Sequence, residues 1–483
     1  MPRDAETRNA DEPEPARDPA GAILDALAEA LAPHALNAPI IAAVSGGSDS
    51  TALLLALAEM RNVDPDTRAR EVLVVTIDHD LRADSADDAV FVERLAARHG
   101  LTAETCVWRG DKPVAGLQAE ARKARYAFLI SEAERRWPGR QVLVLTAHTE
   151  DDQAETVLMR LARGSGPAGL AAMTPWRRLK SDSDVRLLRP FLTRTRDDLR
   201  AFVASKGETW RDDPSNENDA FERIRWRKLH ATLSEAGLSS RALGTTARRM
   251  ARAEAALQSA TKDAFTRIRF DGHGGGFATV DAAPFAQLPD ELAVRVLAHM
   301  LGAFGGSARA AELASIEALH VSLAQSITAF TAHRASLGGC LVATELTDDG
   351  VVTLSVFREP GRFPSQEVSL PTTGPLIWDA RLSLTHSGDW PDGSLIRPLG
   401  SSRPADSCLH VADAAAPDCH LQAWPAIARA TWPAVFGANG DLLAIAAPAL
   451  LARCAPRETR GSPVISAQWL HSGQFQGPDD PGE

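Results

Sequence analysis

The chain has 483 residues, 44% of them hydrophobic, and a formal net charge of −11, which predicts two or three domains with a sizeable core and argues at first against a nucleic-acid partner. Its five cysteines, Cys106, Cys340, Cys408, Cys419 and Cys454, are scattered and none forms Cys-x-x-Cys, so no zinc knuckle, iron–sulfur site or disulfide framework is expected and a reducing cytoplasm is the natural home. No apolar run approaches the roughly 20 residues that span a bilayer, and residues 1–20, rich in Asp, Glu, Ala, Pro and Arg, lack the apolar core of a signal peptide.

In chain order, residues 1–20 read as a disordered tail. Ala22 to Leu31 follows as a short helix with Ile23, Leu24, Leu27 and Leu31 on one face. Pro39 to Val44 is an apolar strand, Thr51 to Leu57 a run of helix formers, and between them lies Ser45-Gly46-Gly47-Ser48-Asp49-Ser50. A strand, a tight polar loop and a helix start aim backbone N–H groups and the positive end of the helix dipole at one spot. Two glycines let an anion approach, serine hydroxyls add donors, and Asp49 offers a carboxylate for a metal beside phosphate. A capped strand-to-helix turn would use the same residue types. The Walker loop is excluded, because no Gly-Lys-Ser/Thr follows.

Glu71 to Ile77 is a continuous run rich in β-branched residues, as expected of a strand buried on both faces, and ends in Asp78-His79-Asp80-Leu81-Arg82. Ser85 to Arg98 reads as a helix, Thr105 to Trp108 as a third strand, Leu117 to Trp137 as a long helix and Gln141 to Thr146 as another buried strand. Alternating buried strands and helices imply a doubly wound parallel α/β sheet, whose ligands sit beyond the carboxyl ends of the strands. Ala147 to Thr156 then opens a helix in which His148 and Asp152 share a face, as do Asp151 and Glu155. Acidic groups at a helix start also benefit from its dipole. Placed after a buried strand beside a phosphate loop, they point to Mg²⁺ or an amine substrate.

Further on come the glycine-punctuated Arg160 to Met173, then Leu187 to Leu192, a helix near Arg194 to Ser205, the turn-rich Trp210 to Asn216, and the arginines of Phe221 to Leu233. Residues 160–260 hold 20 Lys/Arg against 12 Asp/Glu, a basic middle in an acidic chain and a candidate phosphate footprint. Residues 241–325 read as helical, Cys340 to Phe357 as strands, Glu359 to Pro375 as a linker, and the rest to residue 475 as a small strand-rich module.

Six motifs in order resemble the tRNA(Ile)-lysidine synthetases, members of the N-type ATP pyrophosphatases with a PP-loop: Ser-Gly-Gly-x-Asp-Ser at 45–50, Asp-His-x-Leu-Arg at 78–82, Ala-His-x-x-Asp-Asp-Gln-x-Glu-Thr at 147–156, Arg-Gly-Ser-Gly at 163–166, Arg-Pro-Phe-Leu at 189–192 and Trp-x-x-Asp-Pro-Ser-Asn at 210–216. The likeness covers residues 38–230 well and continues through Ser336 to Cys340. It implies a PP-loop (HUP-like) domain at 21–216, a helical domain at 217–330, a strand-rich region at 331–475 and a tail at 476–483. It also implies the reaction: ATP adenylates the wobble cytidine of tRNA(Ile), then free L-lysine displaces AMP. On this resemblance Ser45, Gly46, Gly47, Ser48, Asp49 and Ser50 bind ATP, with Asp49 also a metal (Mg²⁺) ligand. Asp49, His148, Asp151 and Asp152 are catalytic. Asp151, Asp152 and Glu155 are candidates for lysine or metal, and Arg163, Arg189, Arg223 and Arg227 for phosphate or tRNA. No membrane partner is expected, and a homodimer is compatible with the family. The chain departs from the family at Asp80, where Gly is usual, at Thr149, where a second His is usual, and at Phe221-Glu222-Arg223-Ile224 in place of Tyr-x-Arg-Asn, so nothing is carried over to 80, 149, 221 or 224. The alternatives are another PP-loop tRNA-modifying enzyme, such as a thiolase, which would need nucleophilic cysteines, and a non-catalytic ATP- or RNA-binding protein.

Overall fold

The structure is a computed structural model that describes residues 19–80, 85–110, 112–113, 116–180, 183–211, 222–270, 276–306, 311–360, 367–371, 374–387, 389–400, 424–448 and 464–470. Leu81 and Arg82, residues 212–216, residues 1–18 of the expected tail at 1–20, and the expected tail at 476–483 lie outside the described residues; Pro19 and Ala20, expected in that first tail, belong to a helix instead. The chain divides into two compact units, with the boundary between Ala255 and Ala256.

The first unit opens with α1 (Pro19–Leu31) and β1 (Ile40–Ala43). It continues through α2 (Ser48–Val63), α3 (Pro65–Ala69), β2 (Val72–Asp78), α4 (Ser85–Arg98), β3 (Thr102–Val107), α5 (Leu117–Arg136), β4 (Val142–Leu145), α6 (Glu150–Ala162), α7 (Pro167–Leu170), β5 (Trp176–Arg178), β6 (Val185–Leu188) and α8 (Arg196–Ser205). The sheet order is β3-β2-β1-β4-β6-β5, parallel except for β5, which runs antiparallel to β6. Alternation along the strands sends Ile40 and Ala42 to one face, packed with Leu53, Leu57, Val92, Leu199 and Phe202, and Ile41, Leu73 and Val75 to the other, packed with Leu129 and Trp137. Both faces are therefore covered, which is why these strands read as continuous apolar runs. In register Ile40 pairs with Val72 on one side and Leu143 on the other. The chain thus leaves β1 between two neighbours reached by opposite routes, the switch point at which such sheets open a crevice.

Two helices, α9 (Glu222–Glu235) and α10 (Ser240–Arg267), follow, and the unit boundary falls within α10. In the second unit β7 (Phe277–Asp281) interrupts a stretch expected to be helical, followed by α11 (Ala282–Ala286), α12 (Asp290–Phe304) and α13 (Leu313–Thr328). Its five residues, Phe-Ala-Thr-Val-Asp, have strand character, and β7 pairs antiparallel with β10 (Val352–Arg358), which pairs with β9 (Cys340–Leu346), which pairs with β8 (His333–Leu337). Two further four-stranded sheets are built from segments between 368 and 469. Gly305 lies so close to the Gly338-Gly339 turn that a Cβ on Gly305 or Gly339 would strike the other segment's backbone. Beneath that turn Asp379 accepts from Arg358 Nε at 2.8 Å and Arg381 Nε at 2.8 Å, and all three side chains are at most 3% exposed.

Candidate active site

The loop after β1 is organised by its own hydroxyls. Ser45 N donates to Ser50 Oγ at 3.1 Å, Ser50 Oγ to the Gly47 carbonyl at 3.1 Å, and Thr51 Oγ1 to the Gly46 carbonyl at 3.2 Å. Gly46 has φ +88°, a region that only glycine enters without strain, and Gly47 is the N-cap of α2. The first amides of α2 have no carbonyl partner within the helix, as at any helix start. Ser48 Oγ donates to Asp49 Oδ1 at 3.0 Å, which fixes the Asp49 carboxylate at the mouth of the loop.

The start of α6 is built by capping. Thr149 is its N-cap, and Asp152 completes a capping box: the Thr149 amide donates to Asp152 Oδ2 at 2.8 Å, and the Asp152 amide donates to Thr149 Oγ1 at 3.4 Å. The residue standing where the family usually has a second His is therefore a fully buried helix cap. The Asp80 departure has a local account too. Its φ is +50°, a backbone region that suits glycine and that Asp tolerates, and its amide donates to Asp78 Oδ1 at 2.8 Å.

One residue that sequence reasoning passed over joins the two elements. Arg196, the first residue of α8, places Nε 3.2 Å from Asp49 Oδ2 and Nη2 3.3 Å from Asp152 Oδ1 and 4.0 Å from Glu155 Oε1. Its backbone amide donates to Asp151 Oδ2 at 2.7 Å. The signal was available: a cation at a helix N-terminus opposes the dipole, and such a local conflict marks a site where something else compensates. Here burial works against the charge, but Asp152, Asp49, Glu155 and Asp151 outweigh it and drive the guanidinium pKa further up. Burial pushes the Asp49 carboxyl above its ordinary value; Arg196 pulls it back, and Asp152 adds to the rise.

The remaining expected residues are distributed as follows. His148 follows Thr146, whose hydroxyl lies 2.9 Å from its Nδ1 and sets the ring. Asp151 is engaged at both oxygens, by the Arg196 amide and by Ser240 Oγ at 2.7 Å. Glu155, 2% exposed at its side chain, accepts from Arg227 Nε at 2.7 Å, so Arg227 is turned toward the acidic helix. Glu150 is similarly met by Arg248 at 3.3 Å. Part of the basic middle thus neutralises this chain's own carboxylates. Arg163 is exposed at the C-cap of α6. Arg189 is buried and donates to the Thr174 carbonyl at 2.8 Å. The Arg223 side chain lies outside the described residues. The glycine loop after α6 is held by Gln153, whose amide both donates to and accepts from Met173 at 2.8 Å, and by Arg160, which donates to the Gly169 carbonyl at 2.9 Å.

The arrangement is a backbone cradle for an anion beside a surplus of carboxylates, with a partly open guanidinium between them. Comparison with known proteins agrees with it. Residues 22–232 match the family profile of a PP-loop domain. The chain is similar to the tRNA(Ile)-lysidine synthase of Ruegeria pomeroyi, 42% identical over 305 residues that cover 62% of this chain and 67% of that protein. It is also similar to those of a Methylobacterium species, 42% identical over 63% of this chain and 85% of that one, and of Bradyrhizobium diazoefficiens, 40% identical over 65% and 87%. A solved U34-tRNA thiolase from Methanococcus maripaludis is 15% identical with a TM-score of 0.41, over 48% of this chain and 77% of that one, a likeness too slight to bear on function. With the phosphate loop, the acidic helix start and relatives matched over most of their length, the chain belongs to the tRNA(Ile)-lysidine synthase family.

Proposed function

We propose that the chain ligates free L-lysine to carbon 2 of the wobble cytidine of tRNA(Ile), using ATP and releasing AMP and pyrophosphate. The observation that carries this reading is the Arg196 guanidinium, which brings Asp49 of the phosphate loop and Asp152 of the acidic helix to one cation, so that the triphosphate and amine functions share a site.

The reaction has two displacements. The cytosine oxygen attacks the α-phosphorus of ATP, a P–O bond forms, and the bond to the β-phosphate breaks. The lysine ε-amine then attacks carbon 2, loses a proton, and the C–O bond to AMP breaks. The 45–50 amides and hydroxyls hold the departing pyrophosphate, where preorganised donors matter most. Asp152 attracts the lysine ammonium and His148 receives its proton, a task suited to an imidazole. Glu155 is met by Arg227 and stands 4.0 Å from Arg196, and Arg163, Arg223 and Arg227, whose side chain keeps 37% exposure, are the candidates for RNA phosphate. Asp151, engaged at both oxygens, braces α8 and α10 against α6.

Mg²⁺ normally binds protein through one or two carboxylates and completes its shell with water and substrate phosphates. Asp49 fits as such a carboxylate, and among the described residues no group of three or more metal-ligating side chains comes together, so the donor set suits an ion shared with ATP. Neutralising charge on pyrophosphate is the chemistry it supplies there. Among the described residues no helix is long and apolar enough to cross a membrane. A thiolase reading finds no support at the site, since the two described cysteines, Cys106 and Cys340, both have thiols pushed up by burial.

The test is pyrophosphate release with ATP, lysine and tRNA(Ile), compared with omission of each, in the wild type and in Asp152→Ala. Release should need RNA, and the variant should fail to incorporate lysine while keeping its fold. Near-normal lysine incorporation in Asp152→Ala would remove that residue from its role.

A further inference from the structure

The short irregular segment after α8, residues 206–211, is tied to the back of the phosphate loop. Lys206 Nζ lies 2.6 Å from Glu59 Oε2 on α2. Glu208 receives Arg98 Nη2 at 2.6 Å and His99 Nε2 at 2.9 Å, both at the end of α4. Trp210 packs on the core under the sheet. Arg211 Nε lies 3.3 Å from Asp88 Oδ1, and its guanidinium stands 5.9 Å over the Phe91 ring. At the end of this run the Arg211 backbone amide donates to the Gly46 carbonyl at 2.9 Å.

That last bond has a geometric consequence. The peptide is planar and trans, so the Gly47 N–H points opposite to the Gly46 C=O. Gly46, at φ +88° with no side chain, is the residue at which this peptide would turn over most easily. Two donors hold its carbonyl, Thr51 Oγ1 from within α2 and the Arg211 amide from outside. A carbonyl held from behind leaves the Gly47 N–H directed to the opposite side.

We infer that residues 206–211 form a strap whose Arg211 amide locks the Gly46–Gly47 peptide in its anion-binding orientation, with the Arg211–Asp88 pair setting the strap against α4. Arg211 is on this account a positioning residue for the phosphate loop, acting through the Gly46–Gly47 peptide. The inference deepens the ATP-using reading above and rests on it only for the ligand.

The test uses the full chain and three variants. Arg211→Pro deletes the amide hydrogen, Arg211→Asp turns the Asp88 pair into a repulsion, and Arg211→Asp with Asp88→Arg restores the pair in reverse. Without ligand, exchange of the residue-211 amide should rise about fivefold in Arg211→Asp, the value of one net hydrogen bond, and return in the double variant. With ligand, ATP affinity should weaken by about the same factor while the KM for lysine at saturating ATP stays put, a split that general loss of structure would not produce. Unchanged residue-211 amide exchange and ATP affinity in Arg211→Asp would overturn the strap, and so would a lysine KM that moves together with that for ATP. Should Arg211→Pro fail to fold, the Arg211→Asp variant and its rescue decide. Should the wild type bind no ATP, the functional reading falls, and the exchange comparison still decides the strap.

Discussion

Two ion networks in this chain use the same groups to opposite ends. At Arg196 one guanidinium faces Asp49, Asp152 and Glu155, and its side chain is 18% exposed. At Asp379 one carboxylate faces Arg358 and Arg381, and the trio is sealed to 3% exposure or less. The first has an excess of negative charge and a path to solvent, so it has capacity for a further cation, whether a metal or a substrate ammonium. Among the described residues the second has an excess of positive charge and is sealed from solvent; Arg358 Nη2 also donates to Asp379 at 3.1 Å, and backbone carbonyls take further donors, Arg358 Nη1 to Gly339 at 2.7 Å and Arg381 Nη2 to Thr431 at 3.4 Å. Access and the sign of the surplus charge separate a site from a structural pin; the presence of buried charge does not.

The contrast breaks most readily at the sealed end. Asp379→Ala leaves two buried arginines facing each other and should cost about 3–5 kcal/mol in urea unfolding, the range for breaking a buried pair. A loss under about 1 kcal/mol would show that water reaches the trio. At the open end, Arg196→Ala should lower lysidine formation on the order of a hundredfold, in line with losing one preorganised charge at a reacting centre, with a fold intact by circular dichroism. If activity survives, the shared cation does not join the two halves of the site. Beside the sealed trio, burial pushes the Cys340 thiol up from 9.0 to about 12. The folded chain then keeps a proton that the unfolded chain releases, so this contribution to stability is whole below pH 9 and is lost as pH rises toward about 12. Thermal unfolding of the wild type should fall more steeply across that window than that of Cys340→Ala. The smallest effect is local: Thr149→Ala removes a helix cap and should cost about 1 kcal/mol, readable as a shift in denaturant midpoint.

Much of the first unit was legible in the sequence. β-Branched runs such as Val72–Asp78 can hardly be anything but buried strands, and Ser45–Ser50 between a strand and a helix declares its anion chemistry through local geometry. The pairing of Thr149 with Asp152 is a three-residue spacing, and the physics of a capping box lies wholly within it. These features are local, so residue type and spacing suffice.

Tertiary structure decided what distance along the chain conceals. Arg196 lies 147 residues from Asp49, and no periodicity relates them; only the packing of α8 against α2, which sets its first residue beside Asp49 and the start of α6, does. Arg227 and Arg189 were candidates for phosphate by type alone, and the fold adds what the type could not show: one stands beside Glu155 and the other is buried against the Thr174 carbonyl. A charge acts through what stands within a few ångströms of it in low dielectric. The sequence by itself determined which groups this chain brings to its chemistry, and the fold determined which charges were left over to perform it.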